Sequence, residues 1–123
     1  MKQNNKKLGG FGEREAARYL RKKGYQRVAA NYSCQYGEVD LIVQKPGILV
    51  FAEVKTRQSR DFGAPAEAVG FRKQEKIKLV AQEFLLSYDE DVDVRFDVVE
   101  VMAEPSLFGG YRVREINHIE QAF

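Results

Sequence analysis

Apolar residues recur along this chain with two periods, and the switches between them mark its elements. Ala16, Ala17 and Leu20 share a stripe at helical spacing, so a first helix is predicted from Gly10 to Lys23, with Gly24 as its C-terminal cap. Gln26 to Tyr32 reads as a strand. Two apolar runs follow, Gly37–Val43 and Gly47–Lys55, joined by Gln44-Lys45-Pro46-Gly47, whose proline and glycine can turn the chain into a hairpin. Thr56 to Ala64 is polar and carries Gly63, which predicts a loop beside the hairpin's end. Ile77, Val80, Ala81, Phe84, Leu85 and Tyr88 recur at helical spacing and predict a second helix within Pro65–Tyr88, its apolar stripe facing the core. Val92 to Val101 reads as a strand whose alternation merges into continuous apolar sequence at Val98 and Val99, as a central position in a sheet requires. Residues 104–110, with Pro105, Gly109 and Gly110, form a loop, and Tyr111 to Ile116 returns as an edge strand. This order of elements predicts an α/β or α+β sandwich built on a mixed β-sheet.

Charges interrupt the hairpin where a sheet would ordinarily bury apolar groups. Strand side chains alternate between faces, so Glu38, Asp40 and Ile42 share one face of the first run, and Leu49, Phe51, Glu53 and Lys55 one face of the second. With Val43 opposite Ile48, Glu38 falls opposite Glu53, and Asp40 lies diagonal to Glu53 at about 7–8 Å. Two carboxylates so placed repel unless a cation, a basic partner or a raised pKa relieves them. Oxygen ligands of this kind suit magnesium, which uses one or two carboxylates and completes its shell with water and phosphate oxygens. Phosphodiester hydrolysis follows as the natural chemistry, with Asp40 and Glu53 as metal ligands and catalytic groups. Lys55 would position the nucleophile or stabilise charge on the phosphate. Taken singly, each of the three reads as an exposed cross-strand ion; the set points to a site.

Glu13 lies three and four residues before Ala16 and Ala17, on the inward face of the first helix. A first-turn acid favoured by the helix dipole is the structural alternative. The formal net charge of +2 conceals segregation along the chain: residues 1–30 carry nine Lys and Arg against two Asp and Glu, residues 54–80 seven against three, and residues 81–123 three against ten. The basic blocks flank the acidic motif and suit a phosphate polymer. Arg14, Arg18, Arg57 and Lys73 are the candidate nucleic-acid contacts, among stripes that also include Arg21, Arg60, Arg72 and Lys76; solvated helix faces are the plainer reading of such runs.

With 123 residues, 44% of them apolar, the chain is expected to form one domain over residues 1–123, residues 1–8 being a flexible arm. Cys34 has no cysteine to pair with, and the chain has neither a signal-peptide pattern nor an apolar run long enough to span a membrane; a cytoplasmic protein is expected. His118 offers no metal-ligand spacing and reads as a surface or packing residue.

Asp40 followed by Glu53-Val54-Lys55 resembles the PD-(D/E)XK nuclease signature, with a spacing similar to that of archaeal Holliday junction resolvases. A wider match, through Gly12-Glu13, Gly24-Tyr25, Gly37-Glu38-Val39-Asp40-Leu41-Ile42, Phe51-Ala52-Glu53-Val54-Lys55-Thr56-Arg57, Pro65-Ala66-Glu67-Ala68-Val69, Lys73 and Arg95-Phe96-Asp97-Val98-Val99, resembles the UPF0102 (YraN-like) family over nearly the whole chain. Val39 stands where the signature has proline. The resemblance implies a restriction-endonuclease-like core and a magnesium-dependent endonuclease, with manganese as a substitute metal. DNA, branched or junction DNA included, is the expected substrate. It also implies Glu13 as an accessory ligand, the Val54 carbonyl as a further one, and a homodimer by analogy with the resolvases. A non-catalytic nucleic-acid-binding module of the same fold, or a protein-interaction domain, are the alternatives. Asp97 reads as a structural acid paired with an arginine or as a residue supporting the site.

Overall fold

The computed structural model describes residues 2–58 and 69–123, with residues 2–5 as backbone alone. Its elements are α1 (Lys2–Lys22), β1 (Gln26–Cys34), β2 (Gly37–Lys45), β3 (Ile48–Gln58), α2 (Phe71–Leu85), β4 (Asp93–Pro105) and β5 (Tyr111–Ile119). The five strands form one mixed sheet in the order β1-β2-β3-β4-β5. Only β3 and β4 pair in parallel, and α2 lies in the connection between them, the longer crossover that a parallel pair needs. The fold is α/β, a mixed sheet with a helix on each face, as the order of elements in the sequence predicted.

The alternation of β3 decides which helix covers which face. Val50 and Ala52 pack with Leu41, Val43, Val99 and Val101 against Ala16 and Leu20 of α1. Leu49 and Phe51 pack with Ile42 and Val98 against Ile77, Val80 and Ala81 of α2. Being covered on both sides, β4 is buried from Asp97 to Val101, which explains the loss of alternation there.

Several boundaries differ from the sequence expectation: β1 runs on to Cys34, and β4, paired with β5, runs to Pro105, inside the expected 104–110 loop. α1 begins at Lys2, so residues 2–8, read as part of an arm, are helical, and Gly10, the expected start, lies inside the helix. β3 runs to Gln58, through the first positions of the expected loop, because its parallel ladder with β4 continues to Gln58 opposite Ala103. β5 continues to Ile119, still paired with β4. The rest of that loop, Arg60 and the expected start of the second helix lie outside the described residues.

The hairpin register also differs. Lys45 pairs with Ile48 across a two-residue Pro46-Gly47 turn, Gly47 at φ +83°, so Val43 faces Val50 instead of Ile48. A two-residue shift keeps every side chain on its face but changes its partner. Continued one step beyond Leu41 and Ala52, this register sets Asp40 against Glu53.

Candidate active site

At that step, side-chain bonds join β2 and β3. The Asp40 N–H donates to Glu53 Oε1 (3.3 Å), and the Val54 N–H donates to Asp40 Oδ2 (2.8 Å). Each carboxylate thus ties down the other's strand, and the exchange fixes both side chains at the fork. Glu53 is buried, facing α2, whose first turn supplies Lys73 with Nζ 3.0 Å from Glu53 Oε2. Arg72, Lys73 and Lys76 of α2 line, with Glu38, Asp40 and Glu53, an open cavity of about 450 Å³. Three acids and three bases therefore converge.

Burial, followed by the charge of Asp40, raises Glu53 to about 7 against the opposing Lys73 ammonium. Burial works against the charged form of Lys73, but Glu53 outweighs it and the ammonium is held above its ordinary value. Burial, then Asp40, also raises Glu13, opposed by a hydrogen bond from Asn31 and reinforced by Glu38. Glu13 thus feels the same cluster from α1, at a point where helix and sheet come very close. A Cβ on Gly12 would collide with the Thr56 side chain, its Cβ only 2.7 Å and its Cγ2 2.8 Å away. Asn31 takes φ +51°, a left-handed conformation that asparagine tolerates, and its position in β1 faces Asp40.

The remaining candidates scatter. Lys55 lies on β3, in line with Glu100 of β4, and among the described residues has no ion-pair partner; the lysine on Glu53 is Lys73, which had been read as a nucleic-acid contact. Val54 gives its N–H to Asp40 and its side chain to the α1 face. Arg57 is held by Glu100, Nε to Oε2 3.3 Å, in a largely buried pair. Arg14 and Arg18 are exposed on α1. Lys73 and Asn31 were the site residues that strand alternation missed. Lys73 had a signal: it precedes Ile77 and Val80 by four and seven residues, on the stripe that α2 buries.

Asp97 is a structural acid on the α1 face. Its oxygens accept from Arg95 Nε and Nη2 (both 2.8 Å) and from the Gln121 N–H (3.1 Å), and Oδ2 lies 2.7 Å from His118 Nε2. Arg95 Nη2 also donates to the Tyr25 hydroxyl (2.6 Å). His118, expected as a surface or packing residue, has a buried side chain in this network. Burial alone would push Asp97 up, but the bonds from His118, Arg95 and Gln121 win and hold it below the usual carboxylate value.

As a cation site, the fork offers two carboxylates whose orientation is fixed by backbone N–H groups. Each has one oxygen outside those bonds, that of Glu53 facing Lys73, and a cation would offset both the burial and the Asp40 charge that raise Glu53. That donor set fits magnesium bound through two carboxylates with water and phosphate completing its shell. Among the described residues no group of three Asp, Glu, His or Cys side chains is arranged to hold a metal, so the fit rests on the pair.

Residues 12–101 match the family model described as "Uncharacterised protein family UPF0102". A UPF0102 protein of Caldanaerobacter subterraneus subsp. tengcongensis is 44% identical over 123 residues, covering 99% of this chain and 98% of the relative. One from Rhodococcus jostii is 45% identical over 121 residues, covering 98% of both. Among solved structures, Pyrococcus furiosus SfsA in complex with Ca2+ matches at 13% identity and a TM-score of 0.34, over 94% of this chain and 63% of that one. No helix among the described residues is long and apolar enough to cross a membrane.

Proposed function

The chain belongs to the UPF0102 family, and we propose that it is a magnesium-dependent endonuclease that hydrolyses DNA phosphodiesters, branched or junction DNA included, at the fork between β2 and β3. The observation that carries this is the reciprocal bonding of Asp40 and Glu53, which fixes two like-charged carboxylates side by side in a cavity whose other wall is basic. Asp40 and Glu53 would hold the metal, manganese serving as well as magnesium, with Glu13 as an accessory acid and the Val54 carbonyl as a further ligand. Bound there, the metal supplies polarisation of the phosphate and a more acidic water. The chain itself supplies orientation and charge. Arg72 and Lys76 face the space where a phosphate would enter, and Lys73 offsets the carboxylates until the substrate arrives. Lys55, free of other partners among the described residues, is the group assigned to position the nucleophile. A homodimer belongs to the same proposal, since a four-way junction presents two symmetric strands.

The test is cleavage of labelled duplex, single-stranded, flapped and four-way-junction DNA in magnesium or manganese, with EDTA as control. Asp40→Asn and Glu53→Ala should fold yet cut nothing, and Lys55→Ala should lower turnover more than metal binding. Full activity in Asp40→Asn would refute the assignment. A second reading has one observation in its favour: Lys73 already neutralises Glu53 within 3.0 Å, as it would in a nucleic-acid-binding module of this fold that does not cut. That reading expects salt-sensitive binding, no cleavage, and affinity that survives loss of both acids.

A further inference from the structure

A second basic surface lies on the α1 side of the sheet. Arg14, Arg18 and Arg21 follow one another at i, i+4 and i+7 and so share a helix face, spread over about 10 Å of its length. Arg27, on β1 beyond the turn after α1, joins them, and the four exposed arginines line a cavity of about 590 Å³ to which, among the described residues, no carboxylate contributes. Among the described residues only Arg18 has an acid near it, Glu15 at 3.8 Å. A solvated helix face would point its charges outward; here two elements bring like charges to one concave surface, a repulsive arrangement that a polyanion relieves.

We infer that this groove holds the sugar–phosphate backbone of the nucleic acid, on the side of the sheet opposite the carboxylate pocket. The span of the α1 arginines, about 10 Å, is more than a single phosphate fills. Among the described residues the one aromatic lining it, Tyr25, is buried and bonded through its hydroxyl to Arg95, so they offer no exposed ring there on which bases would stack. Contacts are therefore to phosphates, and they position the polymer without reading its sequence. Only its Glu13 end comes near the acids: Arg14 directly follows Glu13, which senses Asp40, while Val43 in the groove floor faces α1, away from the Glu53–Lys73 pocket. The substrate rests on the proposed endonuclease reading, but the groove is tested by binding alone.

The experiment is fluorescence anisotropy of a labelled duplex in EDTA, where no cutting occurs, across a salt series. Arg21→Glu/Arg27→Glu should weaken binding at least tenfold at low salt and flatten the plot of log affinity against log salt by about two phosphate contacts. Lys78→Glu/Arg112→Glu changes the net charge equally but lies outside the groove, and should change affinity far less. Equal losses in the two double variants, or no loss in the groove variant with its circular dichroism unchanged, would overturn the inference. Competition by inorganic phosphate beyond its ionic strength would also overturn it, since the groove would then be a small-anion site. The parent protein separates the two proposals: groove binding without magnesium-dependent cleavage defeats the endonuclease and leaves the groove standing.

Discussion

Glu53 sits where the fold disfavours its charge and a single lysine restores it. Its burial and its neighbour Asp40 favour the neutral form, while Lys73, half exposed, favours the charged one. Removing the cation should therefore destabilise the protein modestly. Lys73→Met is expected to cost about 1 kcal/mol at pH 8, reduced by solvent screening at the exposed end, and Glu53→Gln/Lys73→Met should recover most of it in urea unfolding. Asp97 is the opposite case, fully buried with all its partners in place. Asp97→Asn leaves the largely buried Arg95 with only the exposed Glu120, 3.7 Å away, as a counter-charge and should cost about 3 kcal/mol near neutral pH. Because Asp97 is held below its ordinary value of 3.8, its contribution is full above that pH and is lost as pH falls through the lower folded value. The gap between wild type and Asp97→Asn should accordingly narrow in acid, and a gap unchanged from pH 7 to pH 3 would contradict the assignment.

At the scale of elements, the site depends on α1 pressing against β3. Gly12 permits that contact, and Glu13 is the next residue. Gly12→Ala drives a methyl into Thr56, whose Cβ no rotamer change can withdraw, and should cost about 1–3 kcal/mol while displacing Glu13. Gly12→Ala/Thr56→Gly should show a favourable coupling of about 1 kcal/mol or more in a double-mutant cycle; strict additivity would mean that helix and strand do not meet there. α2 acts from the other face, since Ile77 and Val80 seat the helix and thereby aim Lys73 at Glu53. The sequence disclosed this helix by its period. Nothing in strand alternation disclosed its first turn, because the approach of α2 to the fork is made by a crossover whose path no local pattern encodes.

For the whole molecule, charge is divided between the two sides of one sheet, with paired acids on the α2 side and an arginine groove on the α1 side. A cation binding the folded fork must stabilise the fold by mass action. Magnesium at millimolar concentration is therefore expected to raise the melting temperature by a few degrees, about 1 kcal/mol of linkage for a domain of this size, and Asp40→Asn should abolish the shift. A shift that persists in Asp40→Asn would place the cation elsewhere. The exposed Leu107 and Phe108 cap the β4–β5 hairpin; Tyr111, in contrast, packs on Phe11, and Phe123 stacks on Phe96.

The sequence by itself determined the elements and the faces of their side chains, because hydrophobic period is a local property and a two-residue slip in register leaves each face unchanged. It therefore placed Asp40 and Glu53 on one surface even with the wrong partners assigned across the turn. It also disclosed the inward face of α1 and the interior position of β4, the one from helical spacing and the other from continuous apolar sequence. Only the tertiary structure decided that Asp40 meets Glu53 at a fork, that Lys73 rather than Lys55 reaches the glutamate, and that Arg57 is held by Glu100. It alone joined Arg27 to the arginines of α1 and Asp97 to His118. Those pairings span elements distant along the chain, and they are fixed by how strands register and helices dock, which the burial of the entire core determines.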